Sequence, residues 1–101
     1  MEGDMDELER DVERYLVKAC EARGWRCWKL VSPGRRGVPD RLVIRRGTVA
    51  FVEVKRRGGR VSPMQRRRLA ELARLDADAR VVKSKREIDA LISEWEAADE
   101  V

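Results

Sequence analysis

Asp40 stands before the apolar run Leu42-Val43-Ile44. Glu53 closes the run Val49-Ala50-Phe51-Val52, and Lys55 follows two residues later. If Arg46-Gly47 forms a two-residue hairpin turn, residues whose numbers sum to 93 face each other. Ile44 then meets Val49, Leu42 meets Phe51, and Asp40 meets Glu53. The two-residue side-chain period puts all six on one face, with Lys55 on the same side. Two carboxylates opposed in this way destabilise a sheet unless a cation lies between them. Hard oxygen donors suit Mg²⁺ or Mn²⁺, and the Val54 carbonyl can add a further oxygen. Such an ion lowers the pKa of a bound water and neutralises charge growing on a phosphate. Lys55 can position the attacking water and act as a fixed cation. The plainer alternative is an ion pair between Lys55 and either acid at the strand ends.

The rest of the composition narrows the chemistry. The 101 residues contain no histidine. That excludes imidazole bases, Ser–His hydrolysis and His-ligated zinc. Cys20 and Cys27 form no C-x-x-C pair and read as small buried hydrophobes. There is no G-x-x-x-x-G-K-[ST] loop, so no nucleotide cofactor is expected. No apolar run reaches membrane-span length, and residues 1–11 hold no signal-peptide core, so no membrane partner and a cytoplasmic location are expected. The net charge is only +4, but residues 23–86 carry 20 Lys/Arg against 5 Asp/Glu. Both ends are acidic. A basic middle of this kind suits a polyanion, most often nucleic acid.

The elements that must hold these groups are legible. Leu8, Val12, Tyr15, Leu16, Ala19 and Cys20 form one apolar stripe, which predicts a helix over residues 6–23, stopped by Gly24. Residues 25–31 read as a strand and Ser32 to Gly37 as a loop. Strands over 41–45 and 48–55 are apolar on both faces, the pattern of covered central strands. Arg56 to Arg60 reads as a loop. Ser62-Pro63-Met64-Gln65 is a capping box that opens a helix to about Leu75. Ala79 to Lys83 reads as a strand. Ser84 to Glu87 is a second capping box, before a helix that turns Ile88, Leu91, Ile92 and Trp95 inward. Core packing is the expectation for Trp25, Trp28 and Trp95, although an exposed face of any of them could form an interface. The expected fold is one α/β domain over 1–101, with a central mixed β-sheet flanked by helices in the order α-β-β-β-α-β-α.

Gly37-Val-Pro-Asp40, then Glu53-Val-Lys55, then Gln65 resembles the PD-(D/E)XK nuclease superfamily. The closer resemblance is to its VRR-NUC (virus-type replication–repair nuclease) branch, in the small stand-alone form of phages and bacteria. The resemblance spans nearly the whole chain and implies a restriction-endonuclease-like core. By it, Asp40 and Glu53 bind the metal, Lys55 assists the nucleophile and Gln65 reaches the site from the second helix. It also implies an acid on the first helix, and two candidates stand one turn apart. On a helical wheel Glu9 lies roughly 60–70° from the centre of the apolar stripe and Glu13 roughly 100–110°. Wheel position favours Glu9, whereas Glu13-Arg14 resembles the acid–Arg pair of archaeal-type junction resolvases. Both stay open.

Three arginine groups flank the proposed site: Arg35 and Arg36 before Asp40, Arg56, Arg57 and Arg60 after Lys55, and Arg66, Arg67 and Arg68 at the start of the second helix. They form a candidate phosphate track. The expected activity is Mg²⁺- or Mn²⁺-dependent DNA endonuclease action, selective for branched DNA such as a flap or four-way junction. The resemblance adds action as a homodimer. The rival readings are a non-cleaving basic DNA-binding module and a sequence-specific restriction-type endonuclease.

Overall fold

The computed structural model describes residues 8–100. The elements run α1 (Glu9–Glu21), β1 (Arg26–Lys29), β2 (Arg41–Arg45), β3 (Thr48–Val54), α2 (Pro63–Arg74), β4 (Asp78–Val82) and α3 (Lys85–Asp99). This is the α-β-β-β-α-β-α order expected from the sequence. The first residues of the expected 6–23 helix lie outside the described residues. Strand β1 is shorter than its apolar run, and β4 begins one residue earlier than expected.

The four strands form one mixed sheet in the order β1-β2-β3-β4. Strands β1, β2 and β3 pair antiparallel, and β4 joins β3 in parallel through the α2 crossover. Gly47, with φ +73°, closes the β2–β3 turn in a conformation that favours glycine. The register is the expected one, with Leu42 opposite Phe51 and Ile44 opposite Val49.

The core lies on a single face of the sheet. Val12, Leu16 and Cys20 recur every four residues along α1 and are fully buried. They join Ile88, Leu91, Ile92 and Trp95 of α3 over Cys27, Val43, Ala50, Val52, Val54 and Val82. Burying each large aliphatic side chain is worth about 1.5–3 kcal/mol. This corrects the expectation that both faces of the central strands are covered. Helices α1 and α3 both pack on the face of Val43 and Val52. The opposite face is left partly open, and Val49 there is 50% exposed. Helix α2 has no fully buried residue and lies against β4. Both cysteines are buried and free. No helix among the described residues is long and apolar enough to cross a membrane.

The tryptophans divide. Trp95 is buried, and Trp25 packs edge-on against it at 6.2 Å. Trp28 is 57% exposed, against the expectation of core packing. The cause is its parity on β1: the neighbouring Cys27 faces the helices, so Trp28 faces the open side. Buried Arg45 holds the hairpin end of the sheet. Its guanidinium lies 4.6 Å from the Trp95 ring and 5.7 Å from Trp25, and it donates twice to Asp99 at 3.0 Å. Both capped helices start as the sequence indicates. Ser62 Oγ accepts from Gln65 N–H, and Ser84 Oγ accepts from Glu87 N–H. The second capping box differs in its return half, because Glu87 accepts from the N–H of Lys83.

Candidate active site

The antiparallel ladder between β2 and β3 is paired as far as Arg41 opposite Val52. One step further, Asp40 stands opposite Glu53, on the open face of the sheet. The next step would pair Pro39 with Val54. Proline has no N–H to offer the Val54 carbonyl, so the ladder cannot continue. The N–H of Val54 donates instead to Asp40 Oδ1 at 3.4 Å. On the other side, Leu30 N–H donates to the Asp40 carbonyl at 2.9 Å, which ties the acid to the edge strand.

Both carboxyls are strained electrostatically. Glu53 is only 5% exposed. Burial first, and then the facing Asp40 charge, push its pKa up to about 7, while Lys55 opposes the shift. Asp40 is also raised, chiefly by burial and then by Glu13 and Glu9, against the stabilising Val54 N–H. Lys55 Nζ lies 3.5 Å from Glu53 Oε2, so the strand-end ion pair of the plainer reading does form.

Gln65 caps its helix and touches the site with the same amide. Its Oε1 accepts from Ser62 N–H at 2.9 Å, and its Nε2 donates to Glu53 Oε2 at 2.9 Å. Ser62 N–H can only be satisfied by an acceptor, so capping dictates which end of the amide faces Glu53.

The two α1 acids differ in their ties. Glu13 is bound to Arg41 at 2.8 Å in a half-buried ion pair, beside Asp40 on the chain. Glu9 is exposed, and its charge raises the pKa of both Asp40 and Glu53. Among the described residues, no three acidic or sulfur side chains gather into a ready-made metal cluster. The arrangement is a close pair with a third acid at longer range.

The pattern matches known proteins along most of its length. The family model for the VRR-NUC domain matches residues 4–86. The chain belongs to the VRR-NUC family. This VRR-NUC domain is 42% identical over 78 residues to "Putative nuclease p44" of Acyrthosiphon pisum secondary endosymbiont phage 1, covering 76% of this chain and 84% of that protein. A solved structure described as a VRR_NUC domain superposes with a TM-score of 0.78 at 36% identity, covering 84% of this chain and 94% of the other.

In this VRR-NUC domain, Arg35, Arg36, Arg56, Arg57, Arg60, Arg66 and Arg67 are all exposed. Arg68 differs from the rest of its cluster. It donates to the Arg36 carbonyl and to Glu71, both at 2.9 Å, which anchors the Ser32–Gly37 loop to α2. Gly37 completes that contact with φ +82°, because an added Cβ would lie 2.7 Å from the Met64 carbonyl oxygen. Two features escaped sequence reasoning. The Arg41–Glu13 pair was hidden because Arg41 reads as one more basic residue. The single signal was its parity, opposite to Asp40 and toward α1. The burial of Arg45 had the same signal alone, its parity with Val43 on β2.

Proposed function

We propose that this VRR-NUC domain hydrolyses phosphodiester bonds in DNA, with Mg²⁺ or Mn²⁺ held by Asp40 and Glu53. The carrying observation is the facing pair itself: two shielded carboxyls, both with raised pKa, beside a lysine. The donors fit a divalent cation. They are hard oxygens, and two positive charges between them reverse the repulsion. The Val54 carbonyl, on the strand edge where proline cannot donate, would offer a third oxygen to such an ion. Glu9 adds negative potential from α1 and is the preferred helix acid, since Glu13 is engaged by Arg41.

The bound ion supplies an acidified water and a counter-charge for the phosphate. Gln65 holds Glu53 in one rotamer, so the donor oxygens do not have to reorganise. Lys55 orients the nucleophile and stabilises the charge that develops on the phosphate. The seven exposed arginines are available to carry the flanking phosphates, contacts that hold no sequence information and favour recognition by shape and charge. Branched DNA is the substrate this reading names. Action as a homodimer follows from the family resemblance, and the mass of the protein–junction complex checks it.

Labelled duplex, flap and four-way-junction DNA incubated with Mg²⁺, Mn²⁺ or EDTA tests the reading. Metal-dependent internal cuts are expected. Binding without cutting in any metal would instead support the non-cleaving module. Loss of cutting in Asp40→Ala and Lys55→Ala, with binding retained, is expected of the assigned site.

A further inference from the structure

The open sheet face is a lattice of rows. The site row runs Leu30–Asp40–Glu53–Val81. The next row is Trp28–Leu42–Phe51–Ala79, each residue opposite the next in the observed register. Rows on one face are two residues apart, about 7 Å, and strands are about 4.8 Å apart, so Trp28 lies roughly 8 Å from Asp40 and roughly 12 Å from Glu53 along the backbone lattice, a reach of one to two nucleotides. The second row is apolar and ends in the exposed indole of Trp28. That indole takes no part in the Trp25–Arg45–Trp95 stack, and α2, which packs against β4, meets this face at Glu53 through Gln65.

We propose that Trp28, backed by Leu42 and Phe51, is a stacking platform for an unpaired nucleobase next to the scissile phosphate at the Asp40–Glu53 site. The inference rests on the nuclease reading and names its substrate class: DNA with an unpaired nucleotide at the cut. Charge selects this occupant. Arg26 shares the face of Trp28 on β1, and the exposed cations Arg35, Arg36 and Arg46 lie in the two turns that bracket β2. A second copy would bring like charge to the same place, whereas a nucleic-acid strand offers flat rings on an anionic backbone. Bases inside a duplex hide their faces, so the platform acts only on bases already out of the helix. Trp28 is a specificity-determining residue in this scheme and touches no reacting atom.

The test measures binding in EDTA, where no cutting occurs. Fluorescence anisotropy compares a junction or flap with 2-aminopurine at the unpaired position against blunt duplex, for the wild type, Trp28→Ala and Trp28→Phe. The expected result is a fall in the unpaired-to-duplex affinity ratio on the order of tenfold in Trp28→Ala. The 2-aminopurine quenching should be lost as well, and Trp28→Phe should retain most of both. Thermal melts show that each variant is folded, as an exposed position allows. An unchanged ratio and unchanged quenching in folded Trp28→Ala would overturn the platform. A shift of oligomeric mass in Trp28→Ala, with the ratio unchanged, would overturn it in favour of a protein interface. A wild type that shows the ratio and the quenching but never cuts would keep the platform and remove the nuclease reading.

Discussion

Gln65 Nε2 donates to Glu53 Oε2 at 2.9 Å while the same amide's oxygen caps the helix at Ser62. One side chain thus ties the start of α2 to the carboxylate at the end of β3. Gln65→Ala should lose orientation at the site and part of the cap together. An outer partner of this kind typically changes metal affinity or activity about 10–100-fold. Gln65→Glu should be worse for cutting, because it adds a third negative charge beside Glu53. Titrating Mn²⁺ against cleavage rate for the two variants checks this. Equal rates for Gln65→Glu and wild type would show that the contact is capping alone.

The raised pKa of Glu53 makes stability depend on pH with a definite sign. Its carboxyl sits near 7 in the fold against an ordinary value of 4.5. The folded state therefore holds the proton more tightly. That contribution is fully present below about 4.5 and disappears as pH rises through about 7. In EDTA the melting temperature should fall across this window, and Mn²⁺ should restore it at the alkaline end. Glu53→Gln should flatten the slope and raise the melting temperature at pH 8 while abolishing cutting. A wild-type slope that persists in Glu53→Gln would assign the titration elsewhere.

Gly37 and Gly47 both have positive φ, but only Gly37 is crowded. Gly47→Ala should cost about 1–2 kcal/mol from the left-handed backbone alone. Gly37→Ala meets the Met64 carbonyl as well, and overpacking adds about 1–3 kcal/mol. It should also displace the loop that delivers Asp40. Urea midpoints of the two variants measure the difference, and equal midpoints would show that the loop yields freely.

The arginines separate by what holds them. Removing an exposed one, such as Arg56 or Arg67, should lower the slope of log affinity against log salt by about one. Arg68→Ala should instead leave that slope near the wild-type value and lower the melting temperature, because Arg68 ties the Arg36 carbonyl to α2. Salt titrations of binding for these variants decide it.

Much of this is legible in the sequence. The hairpin register followed from a two-residue turn and the side-chain period, and it carried Asp40 and Glu53 to the same step. Capping chemistry placed α2 and therefore Gln65. What stayed hidden was decided by packing between distant elements. Leu42, Phe51 and Val43 are all apolar, so hydropathy alone could not say which face of the sheet receives two helices. The same uncertainty made Trp28 look like a core residue. Wheel position already separates Glu9 from Glu13, but the ion pair that engages Glu13 with Arg41 depends on where α1 crosses the sheet.

The hairpin has a consequence for how this gene can change length. Asp40 and Glu53 are coupled through a strict side-chain alternation across one two-residue turn. Inserting or deleting one residue within β2 or β3 would send one acid to the helix-covered face and leave the other behind. The segment between the two acids should therefore resist single-codon insertions and deletions. The loop at 56–60 lies outside that segment and is freer to vary in length.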